Sequence, residues 1–232
     1  MVRPSGAARD WICIVTFDLG LLQQNLDVLI EGAVMTVRLT VVSGAISLVS
    51  GIALAGIRSN ARPWLGIPLS TYVELMRNTP LLITLYLIYF GLPMVGIMIP
   101  TVTSVIVALV MQHSVFIAEI VRGGVLSVNA TQVEAGKALG MSDWEIFRIV
   151  RFPQIIATIA PPLTGAFVII LHDTSLAAAI SLVDLTMAAK VISQRTAASF
   201  EPFIAIAVGY SVISWSIGAI ARRVERRMQV VR

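Results

Sequence analysis

Two short polar stretches interrupt the apolar parts of this chain, and each carries groups able to hold a charged small molecule. Asn78-Thr79-Pro80 sets two small polar side chains ahead of a proline. Pro80 removes a helix hydrogen bond and disfavours helical geometry at Thr79, so backbone groups are freed beside those side chains. His172-Asp173-Thr174-Ser175 ends a second apolar run in the same way. Asp173 suits an ammonium group and Asn78 a carboxylate. Glu74 and Arg77 stand three apart on one helix face, as do Glu119 and Arg122, a spacing at which each pair is expected to neutralise itself or cap neighbouring helices. Arg38 is expected to snorkel. A hydrolase built from a serine with His113, His172 and Asp173 has little support, since no Gly-x-Ser-x-Gly elbow and no paired His-Glu metal motif occurs. His172 is expected to be an ordinary hydrogen-bonding residue.

The elements that must position these groups are membrane helices. The chain has 232 residues, 57% of them hydrophobic and 13% charged, against about 45–50% apolar and 25% charged for an average soluble domain. A chain of this size cannot hide that excess inside a soluble globule. The balance excludes an ordinary soluble domain, a disordered chain and a nucleic-acid binder, although the net charge is +4. The single cysteine, Cys13, excludes an internal disulfide.

Gaps between charges locate the spans, because a charge at mid-bilayer costs about 2.5–3.5 kcal/mol. There are 19 uncharged residues between Arg38 and Arg58, 41 between Arg77 and Glu119, 21 between Arg151 and Asp173, and 20 between Glu201 and Arg222. A membrane helix needs roughly 20, so the longest gap holds two, divided at Gly91-Leu92-Pro93 and Gly96, with Pro100 opening the next helix. Five spans are predicted: 33–57, 68–91, 98–119, 154–172 and 202–221. Segments 58–67, 120–153 and 222–232 hold 11 Lys and Arg against 4 on the opposite side. The amino terminus is therefore expected outside and the carboxyl terminus in the cytoplasm.

Residues 1–30 are expected to form an external amphipathic segment ahead of a membrane domain over 31–232. Trp11–Phe17 is apolar, but Asp18 ends the run early and no Ala-x-Ala site follows, so a signal peptide is not expected. Residues 17–30 read as a helix along the outer surface. Residues 176–201 carry Asp184, Lys190 and Arg195 and read as a re-entrant or surface helix, not a sixth span. Arg222-Arg223-Val224-Glu225-Arg226-Arg227 reads as a basic patch against anionic lipid.

The loop 127–153 has internal order. Glu134 to Gly140 reads as a short helix ended by glycine. Ser142-Asp143-Trp144-Glu145 then restarts a helix, with Ser142 as cap and Glu145 as its capping-box partner. Two short helices at an angle make a rigid knob, or, more plainly, a well-capped interfacial loop.

Glu134-Ala135, Gly140 and Pro153 resemble the EAA loop of ABC importer permeases, with the 13-residue step from glycine to proline kept. Gly136, Val150 and Phe152 depart from that pattern. The resemblance extends over roughly 28–228, to polar amino-acid permeases of the histidine, glutamine, arginine and opine type. It is carried by Glu31-Gly32 with Thr36, by Glu74-Leu75-Met76-Arg77-Asn78-Thr79-Pro80-Leu81-Leu82, and by Tyr89-Phe90-Gly91-Leu92-Pro93. Ala118-Glu119-Ile120-Val121-Arg122-Gly123-Gly124 and Asp173-Thr174-Ser175-Leu176 complete it. His172 stands where many such permeases have lysine.

The resemblance implies an all-α integral membrane protein of the type I ABC importer permease fold. It implies a translocation pathway formed by two permeases, identical or related, and a substrate cavity contacted by Asn78 and Asp173 with Leu81 and Leu176 as walls. Glu134, Ala135, Gly140, Ser142, Asp143 and Trp144 would belong to a coupling helix docked on a separate ATPase dimer. No Walker A sequence is present, since Lys137 precedes Ala138 and Lys190 precedes Val191. The chain is therefore expected to be no enzyme and to hold no cofactor, with ATP and Mg bound by the partner. A separate extracytoplasmic binding protein is implied, delivering an amino acid to a bacterial inner-membrane permease. An ATP-independent carrier or channel is the alternative, but it has no use for a cytoplasmic knob, and five spans cannot make two equal inverted halves.

Overall fold

The computed structural model describes residues 18–60, 62–198 and 200–229; the Trp11–Phe17 run lies outside them. Among the described residues all regular structure is helical. A short α1, Leu19–Gln24, is capped by the Asp18 carboxylate, which accepts from the Gly20 and Leu21 amides. After Asn25 comes α2, Leu26–Asn60, unbroken for 35 residues, so the helix of the first span begins well before residue 33 and contains Arg58. Arg38 is exposed on it.

The second span departs most from a plain helix. Helix α3, Pro63–Asn78, opens on a proline and stops at Thr79, whose backbone is extended. Helix α4 then runs Leu81–Met94, bent by 107° from α3. Proline at residue 80 sets that extended geometry on its predecessor. Gly96 takes φ +84° in the turn to α5, Thr101–Leu126, which opens behind Pro100. Next come α6, Ala130–Ala138, and α7, Asp143–Glu145. A π-helical turn, Ile146–Arg151, joins α7 to α8, Phe152–Asp173. Pro161 and Pro162 lie inside α8 without ending it. Residues Thr174–Ile180 tighten into a 3₁₀ helix, followed by α9, Leu185–Thr196, and α10, Phe200–Gln229. Among the described residues four helices are long and apolar enough to cross a membrane, and there is a fifth span if the bent α3–α4 pair crosses as one.

The packing centre is α2 against α5. Thr36, Leu39, Thr40, Ser43 and Ser47 form a buried stripe of mostly small residues on α2. Small residues let helices approach where no hydrophobic force drives them together. Around the α4–α5 contact, Leu81, Leu85, Ile88, Val105, Ala108 and Leu109 form a core with Leu39, Ala177 and Ile180. Large apolar side chains point outward on α2 and α10, among them Val41, Val49 and Trp215, as expected where lipid or another subunit replaces water.

Helix α9, at 12 residues, is too short for a sixth span, and it packs on the bundle by one face with Lys190 exposed on the other. Its Leu185, Ala188, Ala189 and Ile192 are buried. Asp184, fully buried, caps it: one oxygen accepts from the Met187 amide at 2.8 Å, the other from the Tyr210 hydroxyl at 3.1 Å. Burial pushes the Asp184 carboxyl up, against these bonds, which favour the anion. The Leu185 amide donates to Thr36 at 3.1 Å, so α2, α9 and α10 are tied at one point.

Candidate functional site

The bend at Thr79-Pro80 leaves carbonyls without helical donors. Gln112 of α5 answers for two of them: its Nε2 donates to the Met76 carbonyl at 2.8 Å and the Thr79 carbonyl at 3.0 Å. Leaving such acceptors unpaired costs about 1–3 kcal/mol. Gln112→Leu is therefore expected to destabilise the purified protein by about that much, read as earlier thermal unfolding. An unchanged midpoint would mean that Gln112 does not support the bend.

Beside this bend lies a cavity of ≈ 770 Å³, within the ordinary size range of ligand sites. Three surfaces enclose it. Pro80, Leu81 and Leu82 come from the break; Gln112, His113, Phe116, Glu119 and Ile120 form one face of α5. Pro162, Gly165, Ala166, Ile169 and Asp173 form one face of α8, with Leu176 just beyond it. Both faces follow the i, i+3/i+4 step of a helix, and the small residues at 165 and 166 leave the space open.

Asp173, Leu81 and Leu176 thus come together at one cavity. Asn78 does not join them: it is exposed, and its Nδ2 donates to the Glu74 carbonyl at 2.8 Å. Sequence reasoning gave no role to His113 or Gln112. His113 is 2% exposed, and its Nε2 lies 3.0 Å from Asp173 Oδ2. It is one of two histidines and sits inside the longest uncharged run, six residues before Glu119, which was the available signal. His172 faces the other way, with its Nε2 3.1 Å from the Ser214 hydroxyl.

At the opposite end of the cavity, Glu119 is held by two arginines. Arg122 donates to it at 2.8 and 3.0 Å, as the spacing led us to expect, and Arg58 of α2 pairs with its other oxygen. Glu74 and Arg77 form no such pair. Both are exposed, and no ion pair joins them among the described residues. In an exposed position such a pair gains too little to fix two flexible side chains.

Beyond Glu119 lies the knob. Helix α6 ends in a Schellman motif: the Gly140 amide donates to the Lys137 carbonyl, and the Met141 amide to that of Gly136. Gly140 has φ +77°, the left-handed value that motif requires. Gly136 is buried against Ile146, and a Cβ there would stand 3.0 Å from Ile146 Cγ1, which gives its departure from alanine a packing reason. The capping box forms as expected: Ser142 Oγ accepts from the Glu145 amide at 3.3 Å, and the Ser142 amide donates to Glu145 Oε2 at 2.8 Å. The Ser142 groups hold the exposed Glu145 carboxyl below its usual range. Glu134, Ala135, Gly140, Ser142, Asp143 and Trp144 are all exposed, and Trp144 stacks on Phe147 with ring centres 5.7 Å apart.

Residues 47–230 match the family model described as binding-protein-dependent transport system inner membrane component. The chain belongs to this family. The permease is 35% identical over 218 residues to the glutamine transport system permease protein GlnP of Escherichia coli (strain K12), covering 93% of this chain and 99% of that protein. It is 34% identical over 192 residues to the octopine transport system permease protein OccM of Rhizobium radiobacter, covering 77% of each. Its fold matches a solved amino acid ABC transporter with histidines at a TM-score of 0.84, with 34% identity over 91% of this chain and 99% of that one. A methionine ABC transporter, MetNI, shares the fold at a TM-score of 0.71 and 22% identity. The protein is a multi-pass permease subunit of an ABC importer, a transport subunit.

Proposed function

We propose that this permease moves polar amino acids, of the glutamine class, inward across the bacterial inner membrane. The observation that carries this reading is the cavity between the α3–α4 bend and α8, lined by Asp173, Leu81 and Leu176. Relatives named for glutamine and octopine transport support the substrate class. Asp173 takes the substrate ammonium, and Leu81 and Leu176 flank its aliphatic part.

Two permeases, identical or related, form the pathway. Residues 134–153 dock on a separate ATPase dimer that binds ATP and Mg, and a binding protein delivers the amino acid to the opposite face. The 11-to-4 division of basic residues supports an external amino terminus and a cytoplasmic knob and carboxyl terminus. A capped, left-handed stop followed by a capping box supports docking, because a knob that transmits force must not deform.

Reconstitution with the ATPase and the binding protein tests the reading. ATP-dependent accumulation of radiolabelled L-glutamine in proteoliposomes is expected, and its loss when ATP is withheld. Accumulation without ATP favours the carrier alternative; no accumulation of any polar amino acid contradicts the proposal.

A further inference from the structure

His113 is unusual in its surroundings. It lies near the middle of α5, 12 residues from the start of Thr101–Leu126, so it is about 18 Å along the helix from that end. It is 2% exposed, yet its ring lines the cavity and its Nε2 stands 3.0 Å from Asp173 Oδ2. The Asp173 side chain remains 32% exposed. One carboxylate oxygen therefore faces a buried imidazole, while the other is left for a visitor in the cavity.

We propose that His113 is a specificity-determining residue that sets, through its own protonation, whether Asp173 offers a free negative charge to a substrate ammonium group. The proposal rests on the reading of Asp173 as the ammonium partner. With neutral His113 the imidazole stands beside Oδ2 without an aligned hydrogen bond, and the full charge of the carboxylate remains for the substrate. With protonated His113 the pair is an internal ion pair. An arriving ammonium then meets a neutralised carboxylate with a second cation behind it, whose repulsion offsets the attraction.

The neighbours leave this control to the pair. On α5 itself the other charged group at the cavity is Glu119, two turns away and held by Arg122 and by Arg58 of α2. Arg38 of α2 is exposed. From α3, the Tyr72 hydroxyl donates to the Met111 carbonyl, and Glu74 and Arg77 are exposed. Helix α4 contributes the exposed Tyr86 and the half-buried Tyr89, and Thr174–Ile180 has no ionisable side chain. On α8, His172 is turned toward Ser214. Among the described residues no arginine or lysine lines the cavity.

Equilibrium binding of radiolabelled L-glutamine to the permease–ATPase complex in nanodiscs, from pH 5.5 to pH 8, tests the proposal. Wild type is expected to bind about tenfold more weakly at the acid end, where one proton competes with the ammonium. His113→Gln and His113→Asn, which keep a polar side chain that does not titrate, are expected to bind within about twofold across the range. A flat wild-type profile, or the same slope in either variant, overturns the proposal. Asp173→Asn tells the two readings apart. If it weakens binding while the slope survives in His113→Gln, only the role of His113 fails. If it leaves binding intact at every pH, or if wild type binds no glutamine, the Asp173 reading itself fails and this proposal with it.

Discussion

Gly140→Arg is expected to abolish ATP-driven uptake while leaving the permease in the membrane. Gly140 ends α6 at φ +77°, and nothing lies within 4 Å of a Cβ built there. The local cost is therefore backbone strain alone, about 1–2 kcal/mol for an L-residue in this conformation. That is too little to unfold a bundle whose core lies elsewhere. The larger effect is on docking: a long cation is placed at the corner between two helices whose exposed residues are proposed to meet the ATPase. Gly140→Ala separates the two causes, since it carries the strain without the bulk and is expected to keep partial uptake. Uptake assays on membranes with matched permease content check both. Full uptake by Gly140→Arg would remove the corner from the docking surface.

Gly51→Val is expected to cause the largest loss of stability. On α2, a Cβ at this position would stand 2.7 Å from Ile117 Cγ2 and 2.8 Å from the Ser114 carbonyl oxygen. The first contact can relax through a rotamer, but the second is helix backbone and cannot move without parting α2 from α5. Overpacking of a tight core costs about 1–3 kcal/mol and occasionally more, and here it falls on the main packing contact of the molecule. The variant is expected to yield little monodisperse protein after detergent extraction, with Gly51→Ala intermediate. Wild-type yield and melting from Gly51→Val would mean that the α2–α5 approach is looser than the structure has it.

Much of the architecture was legible because charge is costly in a bilayer. The gaps bounded by Arg38, Arg58, Arg77, Glu119, Arg151, Asp173, Glu201 and Arg222 gave five spans, and helices stand at all five. The knob was legible for a different reason: Ser142 with Glu145 and the glycine at 140 are local signals, satisfied within four residues. Pro80 announced a break but not the 107° turn, because a bend angle is set by what the second half packs against.

The site was half legible. Asp173, Leu81 and Leu176 stand at one cavity, whereas Gln112 and His113 were passed over. Their roles depend on how α5 is rotated against α8 and the bend, and one helix's pattern does not contain that rotation. Glu74 and Arg77 show the converse: their spacing permits a pair, but in the folded chain both are exposed and unpaired.

Asp173 is proposed to hold the ammonium of a transported amino acid in this cavity. Equilibrium binding of radiolabelled L-glutamine to the permease–ATPase complex at pH 8, compared between wild type and Asp173→Asn, tests it most directly. Loss of a charge-assisted hydrogen bond is worth about 1.5–3 kcal/mol, so affinity is expected to fall by about tenfold or more. Equal affinity in the two proteins would contradict the account.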